Sequence, residues 1–238
     1  MLIARLISVL IGYCFGLLLF GQMYSRSKNV DITTKGSGNV GTTNILRNFG
    51  WKGAAITFFG DAFKLIFAVL LVWVIFRDRY PEGVRLLELY AGFGAILGHN
   101  HPFYMKHFKG GKGIACTAGL LLAFCAIEIP ACLIIFVATV ALTRYVSLGS
   151  ILVCIAFFVQ TVLFGQLGWL NVTTTYRAEI YILAAVISLM GIVRHRENIG
   201  RLLHGNENKL SLKGKQKYGK NRNDRRRQLG YGPGQGAE

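Results

Sequence analysis

The sequence predicts an all-α integral membrane protein, a compact bundle of about seven transmembrane helices. Of its 238 residues, 53% are hydrophobic and only 16% are charged, and the mean hydropathy is +0.43. Apolar stretches long enough to cross a hydrocarbon layer, which takes about 20 residues, recur along the chain. A soluble globular protein is excluded because its surface would need more polar residues.

The apolar stretches predict seven spans in chain order. The first carries Arg5 ahead of an apolar core, as a signal peptide does, but no small-residue cleavage site follows before Gln22, so we expect a retained helix. The third and fourth are short, which a thin or locally distorted bundle tolerates. The predicted spans cover residues 2–24, 53–76, 87–101, 114–127, 131–146, 151–169 and 180–193.

A proline decides whether the count is seven or six. Pro130 interrupts a long apolar run and disfavours a continuous helix there. A simple kink would give six spans. We expect a break, with Glu128 facing water at the junction.

The basic residues favour seven spans and an orientation, because cytoplasmic loops collect Lys and Arg. With seven spans, loops 24–52 and 102–113, Arg144 and the C-terminal tail lie on one side. Loops 77–86 and 170–179, whose charges nearly cancel, lie on the other. This places the N-terminus outside and the C-terminus in the cytoplasm. Arg5 is the one objection.

The charge also suggests two domains, a transmembrane catalytic domain over residues 1–205 and a basic tail over 206–238. The tail holds nine Lys or Arg against three acids and no apolar periodicity, so we expect it to be disordered near anionic lipid head groups. Contact with the ribosome or RNA is the alternative for the tail. The net charge of +16 is concentrated outside the apolar segments and follows topology, so no nucleic-acid partner is expected.

Three polar clusters fall on the basic side, together with Ser147 and Ser150 at a predicted turn. Glycines expose backbone N–H groups and lysine adds a positive charge, so the clusters indicate an anion site, most simply for phosphate. The clusters are Lys35-Gly-Ser-Gly-Asn-Val-Gly-Thr-Thr-Asn44 with Arg47, Gly98-His-Asn-His-Pro102 with Phe108-Lys-Gly-Gly-Lys-Gly113, and 194–207, which runs Arg-His-Arg-Glu-Asn-Ile-Gly-Arg and ends in Glu207.

Other site types find less support. The glycine-lysine loop lacks the Walker spacing. His99, His101 and His107 have no carboxylate or thiolate at ligand spacing, and the five cysteines show no C-x-x-C pair, so no metal, disulfide or cofactor is predicted. Asp61 and Lys64, at i and i+3, fit an ion pair better than a transport relay. A Ser–His nucleophilic pair stays open, but no G-x-S-x-G elbow supports it.

The three motifs in this order resemble the bacterial acyl-phosphate-dependent glycerol-3-phosphate acyltransferases of the PlsY type, over about residues 2–207. The resemblance implies a seven-helix enzyme of the bacterial inner membrane with a cytoplasmic active site. Such enzymes transfer a fatty acyl group from acyl phosphate to the 1-hydroxyl of glycerol 3-phosphate, giving lysophosphatidic acid and phosphate in the first acylation of phospholipid synthesis. The implied partners are these two substrates and membrane lipids. Cys116 departs from the family's usual threonine.

Carried over motif by motif, the resemblance implies roles for individual residues. Lys112 and Arg47, helped by Arg201, would neutralise phosphate. Ser37 to Asn44 would cradle the acyl-phosphate head group, and His195, Asn198 and one serine would orient glycerol 3-phosphate. The catalytic candidates are Lys112, His195, Arg47, Ser147 and Ser150, and the substrate-binding candidates are Ser37, Gly38, Asn39, Gly41, Thr43, Asn44, His99, Lys109, Gly110, Gly111, Asn198, Arg201 and Glu207.

Three points stay open. The proton acceptor could be His195 or a substrate phosphate oxygen, with a lean towards the substrate. A transporter of organic phosphates would also need a basic pocket, although no internal repeat is evident. A scaffold that recruits lipid-synthesis enzymes through its tail would leave the polar motifs unexplained.

Overall fold

A computed structural model describes residues 1–210 and contains ten α-helices over that range. Every predicted span coincides with a helix or, for the first span, with two. The helices are α1 Leu2–Gly16, α2 Phe20–Ser27, α3 Thr42–Phe49, α4 Trp51–Phe76, α5 Val84–Asn100, α6 Ile114–Phe124, α7 Ile129–Thr143, α8 Val146–Gln166, α9 Thr174–Arg194 and α10 Arg196–Leu203.

Five segments of the described chain are long and apolar enough to cross a membrane, so this is a multi-pass membrane protein. They are Leu2–Ser27, Trp51–Phe76, Ala126–Thr143, Val146–Gln166 and Thr174–Arg194. Helix α5 has 17 residues and α6 has 11, or about 25 and 16 Å at 1.5 Å per residue, against a hydrocarbon core of about 30 Å. The crossing of all seven segments stays a prediction.

Side-chain contacts define two ends of the bundle. At the far end, Arg5 near the start of α1 forms a two-pronged ion pair with Glu179 near the start of α9, with both N–O distances 2.6 Å. Arg85 at the start of α5 donates to the carbonyl of Phe124 at the end of α6. The opposite end, the site end, holds the ends of α1, α5 and α9 and the starts of α4, α6 and α8. Arg5, the objection to the predicted orientation, is thus a paired charge.

Helices α1 and α5 lie against each other through glycines. A Cβ atom on Gly12 would collide with the carbonyl oxygen of Ala91, and one on Gly94 with that of Val9. Gly16 and Gly98 repeat the arrangement four residues later. Small residues four apart on both helices let the backbones approach closely, which is a principal source of helix association in lipid.

The first predicted span is broken at residues 17–19, between α1 and α2, and a buried ion pair fills the break. Lys64 of α4 donates to the carbonyls of Gly16 and Leu18 at 3.2 and 2.6 Å and to Asp61 at 2.8 Å. Its Nζ also lies 2.9 Å from Nδ1 of His99. The predicted Asp61–Lys64 pair is therefore present, and its lysine satisfies carbonyls that the unwound turn leaves free.

The junction after α6 confirms one prediction and overturns another. A helical break precedes Pro130, which occupies the first turn of α7, where its missing N–H costs nothing. Glu128 does not face water. It lies in a short turn, Ala126–Glu128, tucked against α8, is fully buried, and accepts a 3.0 Å hydrogen bond from the Thr161 hydroxyl.

The sequence predicted that Ser147 and Ser150 flank a turn, but in the structure they do not. Helix α7 ends at Thr143, Arg144 adopts a left-handed conformation as its C-cap, and α8 begins at Val146. Both serines therefore lie in the first two turns of α8. The turn is shorter than expected because the left-handed Arg144 reverses the chain almost by itself.

Candidate active site

A cavity of about 300 Å³ opens at the site end of the bundle. Its walls come from the 37–44 loop with α3, the starts of α6 and α8, and the α9–α10 junction. All three sequence motifs contribute, although up to 170 residues separate them. The predicted residues that line it are Ser37, Asn39, Gly41, Thr43, Asn44, Arg47, His99, Lys112, Ser147, Ser150, His195, Asn198, Arg201 and Glu207.

The N-terminus of α3 points its first turn into this cavity. Gly41 is the N-cap, no side chain caps the helix, and Gly41, Thr42 and Thr43 line the wall. The Thr42 hydroxyl is buried and has no partner within the described chain. Free N–H groups and the positive end of the helix dipole favour an anion at this position.

Asn44 shapes this loop from within. Its amide nitrogen donates to the carbonyls of Lys35 and Asn39 at 3.0 and 2.8 Å, and its oxygen accepts from the Ser37 N–H at 3.1 Å. The Gly41 N–H is also satisfied, by Oδ1 of Asn39 at 2.9 Å. Of the predicted cradle, Asn44 and the Gly41 N–H therefore hold the loop together. The Ser37 hydroxyl, the Asn39 amide nitrogen and the Thr43 hydroxyl have no such bond within residues 1–210, and all three residues line the cavity.

A chain of hydrogen bonds extends from Lys112 across the cavity. Its ammonium donates to Oδ1 of Asn198, whose nitrogen donates to Glu207 at 3.0 Å, and Arg201 Nε donates to the other oxygen of Glu207 at 2.9 Å. Glu207 is predicted as substrate-binding, but both its oxygens are engaged. As an anion it suits orienting Asn198 and Arg201 better than binding phosphate.

Burial disfavours the charged forms of the two central cations, Lys112 and Arg47. It lowers the pKa of Lys112 to about 8, with the Arg201 charge adding to the effect. Burial likewise lowers the pKa of Arg47, although a guanidinium keeps its charge at any physiological pH. Within residues 1–210, the Arg47 side chain makes one hydrogen bond, to the carbonyl of Asn208 at 3.3 Å. A bound anion would stabilise the charged form of both groups, because its opposite charge offsets the hydration lost on burial.

His195 is held in one tautomer at the α9–α10 junction. Its Nδ1 lies 2.8 Å from the carbonyl oxygen of Gly191, which can only accept, so Nδ1 carries the hydrogen and Nε2 keeps its lone pair. Burial lowers the pKa of His195 to about 4, and the Lys112 charge contributes. The imidazole is therefore neutral at pH 7.

The two serines of α8 differ in their bonding. The Ser150 hydroxyl donates to the carbonyl of Val146 at 2.9 Å, as helical serines often do. The Ser147 hydroxyl is buried, lines the cavity and has no partner among residues 1–210. An unpaired buried hydroxyl is costly unless a ligand satisfies it, so Ser147 is the better candidate for a substrate contact.

The glycine-lysine loop is folded by its own backbone. The Gly110 and Gly111 N–H groups donate to the carbonyls of Asn100 and His99 at 3.1 and 2.9 Å. Arg194 in turn donates to the carbonyls of both glycines, at distances from 2.9 to 3.2 Å. These N–H groups are not free to cradle phosphate. The loop instead serves to place Lys112.

Four predicted residues lie outside the cavity. Gly111 packs against His99 and lines neither this cavity nor its neighbour, so its position gives no support to a role in substrate binding. Gly38 and Lys109 line a second cavity, as does Gly110. Backbone hydrogen bonds within the loop determine these positions, and residue spacing along the sequence does not reveal such bonds.

An apolar wall completes the cavity and was missed from the sequence. It comes from α4, α6, α7 and the start of α8, through Phe58, Ile114, Ala115, Phe136 and Val146. In a chain that is 53% hydrophobic, nothing in the sequence separates these side chains from lipid-facing ones. The cavity thus joins a cationic end to an apolar side, which suits a substrate with an anionic head and a fatty chain.

The family follows from comparison with known proteins. A protein-family model described as glycerol-3-phosphate acyltransferase matches residues 6–205. The chain belongs to this family. It is accordingly an acyltransferase, as predicted, and the transporter and scaffold alternatives lose their basis.

Relatives and solved structures agree with this membership. A glycerol-3-phosphate acyltransferase of Thermosipho melanesiensis is 37% identical over 87% of this chain and 93% of its own, and one of Shouchella clausii is 34% identical over 90% and 99%. The crystal structure of PlsY, an integral membrane glycerol 3-phosphate acyltransferase, in its glycerol 3-phosphate form has a TM-score of 0.73 and 32% identity, covering 87% of this chain and 96% of its own. Its lysophosphatidic acid form gives 0.72 and 31%, covering 88% and 97%.

The departure from the family pattern has a simple structural setting. Cys116 lies in α6, is fully buried, and lines neither cavity. Thr117 beside it donates its hydroxyl hydrogen to the carbonyl of Gly113 at 3.1 Å, within its own helix. Neither side chain is placed for a substrate contact. Among residues 1–210, no group of three or more His, Cys, Asp or Glu side chains could hold a metal ion.

Proposed function

We propose that this protein transfers a fatty acyl group from acyl phosphate to the 1-hydroxyl of glycerol 3-phosphate, giving lysophosphatidic acid and inorganic phosphate. The observation that carries the proposal is the cavity that joins Lys112, Arg47 and the N-terminus of α3 to an apolar wall. Relatives named for glycerol 3-phosphate, and a PlsY structure in its lysophosphatidic acid form, support the acceptor and the product.

The bonding of the site favours an already activated donor. No hydrogen bond joins His195 to a serine hydroxyl in the part of the chain that the structure describes, so a serine nucleophile with a histidine base finds no support there. Acyl phosphate needs no such nucleophile because it is a mixed anhydride. The protein must instead bring two anions together, position the hydroxyl near the carbonyl carbon, and stabilise the charge that develops.

The transfer then runs in one displacement with two bonds exchanged. The glycerol oxygen attacks the acyl carbonyl carbon, the bond from that carbon to the phosphate oxygen breaks, and phosphate leaves with the electron pair. Lys112 and Arg47 neutralise the leaving phosphate, with Arg201 assisting. Ser37, Asn39 and the start of α3 bind the donor's head group. Ser147 and Asn198 orient glycerol 3-phosphate.

The hydroxyl proton goes to an oxygen of the substrate phosphate. A group with a pKa near 4, as His195 has, is a weak proton acceptor at neutral pH. The second ionisation of a phosphate ester lies near 6, which suits the task better. His195 then acts through Nε2 as a hydrogen-bond acceptor that orients glycerol 3-phosphate by its other hydroxyl, the one that does not attack.

The same proposal includes the protein's setting. The chain lies in the bacterial inner membrane with seven crossings, its N-terminus outside and its active site facing the cytoplasm. Alternating helix directions support this, because the basic loops and all three motifs gather at one end of the bundle. At the start of the proposed tail, Glu207 lines the active-site cavity and Asn208 accepts a hydrogen bond from Arg47, and residues 211–238 lie outside the described chain.

Direct detection of the product tests the reaction. Purified protein in lipid nanodiscs is given glycerol 3-phosphate with either acyl phosphate or acyl-CoA, and lysophosphatidic acid is measured by mass spectrometry. We expect product from acyl phosphate only, formed about a hundred-fold to a thousand-fold less efficiently by a Lys112→Ala variant. Product from acyl-CoA alone would overturn the donor, and no product from either donor, in folded protein, would overturn the proposed function.

A further inference from the structure

A second cavity, of about 720 Å³, adjoins the active site at the site end of the bundle. The two cavities share one wall, formed by Ser37, Asn39, Lys112 and Arg201. Two of the three cations of the active site, Lys112 and Arg201, therefore face both cavities. A molecule held in the second cavity is in direct reach of the groups that bind phosphate in the first.

The second cavity is much more positive than the first. Among the described residues, seven Lys or Arg line it against two acids, Asp31 and Glu197. The active-site cavity has three Lys or Arg against two acids. Asp31 already accepts two hydrogen bonds from Thr33, at 2.7 and 2.9 Å. A concave surface with this balance concentrates anions.

Some of these cations have structural partners and others do not. Arg194, Arg201 and Lys112 are engaged by the glycine loop, Glu207 and Asn198. Lys106, Lys109 and Arg196 are exposed, and their side chains have no hydrogen bond or ion pair within residues 1–210. They supply charge to the cavity without any evident role in holding the fold.

The lining also says which substrate fits. The apolar wall belongs to the active-site cavity, whereas the second cavity has few apolar side chains, chiefly Tyr104, Met105 and Val193. Within the described chain, the second cavity therefore offers no apolar surface long enough to bind the fatty chain of a lipid donor. A small, water-soluble phosphate monoester fits both the charge and the polarity.

We propose that the second cavity is an antechamber that gathers the soluble phosphate monoester acceptor and passes it to the active site across the wall of Lys112 and Arg201. The proposal rests on the proposed function and deepens it by giving the two substrates separate routes. The donor reaches the first cavity from its apolar side. The acceptor arrives through the antechamber, and inorganic phosphate leaves by the same route.

Charge removal at the antechamber rim tests this. The double variant Lys106→Gln/Arg196→Gln removes two positive charges from the second cavity and touches neither the active-site cavity nor a folded contact. At low ionic strength we expect the KM for glycerol 3-phosphate to rise about three-fold to ten-fold, with kcat and the KM for the donor unchanged. In about 0.5 M salt the difference from the wild type should vanish, because the field is screened.

The matched control is Lys28→Gln/Lys52→Gln, which removes the same net charge. Both lysines are exposed at the site end, each near an aromatic ring, and neither lines a cavity. Its KM should stay at the wild-type value. Equal effects of the two double variants, no effect of the first, or a rise in the donor KM instead would each overturn the antechamber.

Equilibrium binding of inorganic phosphate separates this proposal from the reaction itself. Isothermal titration of the same variants at low salt, without donor, should show binding weakened only by the rim variant. If the wild type makes no product yet phosphate binding follows this pattern, the reaction fails and the antechamber stands. If product forms but binding is the same in all three proteins, the antechamber fails and the reaction stands.

Discussion

Lys112 is the residue on which phosphate binding most depends, because it is a partly buried cation whose one hydrogen-bond partner within residues 1–210 is a neutral amide. Replacing it with Ala should lower kcat/KM by about a hundred-fold to a thousand-fold, which is the usual cost of a lost charge-stabilising donor. Steady-state kinetics in nanodiscs measure this. A Lys112→Ala enzyme with normal turnover would remove the residue from the site.

The lowered pKa of Lys112 makes phosphate affinity depend on pH in a definite direction. The Lys112 side chain is charged below its pKa. The affinity of the unliganded protein for phosphate should therefore fall as pH rises through about 8. A bound phosphate raises that pKa, because it favours the charged form. Titration of inorganic phosphate across pH 6 to 10 measures the loss. In Lys112→Arg the charge persists, so an alkaline loss of the same size there would exclude Lys112 as its source.

His195 should be more important for position than for proton transfer. His195→Ala is expected to reduce kcat by about ten-fold to a hundred-fold through lost orientation, while the shape of the pH profile between 5 and 8 stays that of the wild type. Rates over that range provide the measurement. Complete loss of chemistry with substrate binding retained would instead make His195 the base.

At the residue scale, sequence motifs predicted which side chains meet but not what each one does. Fourteen of the eighteen candidate residues line the active-site cavity. Three polar clusters at the same end of a compact helix bundle lie close together in the fold. The internal roles of Asn44, Glu207 and Gly111 depend on hydrogen bonds between elements. Those bonds exist only once the chain is folded.

At the element scale, the glycine-lysine loop depends on the helix behind it. A Cβ on Gly111 would meet the ring of His99, which Lys64 and Asp61 fix in place. Gly111→Ala should therefore displace Lys112 and lower kcat/KM by about a hundred-fold. Gly200→Ala is the control, since a Cβ there meets nothing within 4 Å. Equal activities of the two variants would show that the loop can shift freely.

The contact between α1 and α5 should limit stability. Gly94→Leu forces a side chain against the backbone of α1 and should destabilise the fold by about 2 kcal/mol or more. Thermal denaturation in detergent should show a melting temperature several degrees lower, with Gly200→Leu as the control. An unchanged melting temperature would mean that α1 and α5 do not pack closely in the membrane.

The helices themselves were largely predictable, because apolar length and Pro130 define them. The breaks inside them were not. The interruption at residues 17–19 contains only leucines, and no turn residue announces it. It depends on Lys64, which lies more than 40 residues away and satisfies the exposed carbonyls. The α1–α5 contact, in contrast, corresponds to a visible sequence pattern, glycines four residues apart in both helices.

For the whole molecule, topology is the property to measure. Single cysteines placed at Glu82 and Lys106, in a variant without its five native cysteines, should be labelled from opposite sides of sealed vesicles. Residue 82 should react with an impermeant reagent outside the cell and residue 106 only after permeabilisation. Labelling of both from one side would mean that α5, at 17 residues, does not cross.

The bonding of Glu207 has a consequence for how the enzyme comes into being. Lys112 is aligned through Asn198, and Asn198 is aligned by Glu207, so the lysine of the second motif depends on a residue at the end of the third. On the ribosome, most of the membrane helices are inserted before this carboxylate is synthesised. The nascent protein is therefore a membrane bundle without a finished catalytic centre, and it becomes competent only when nearly its whole length has been translated.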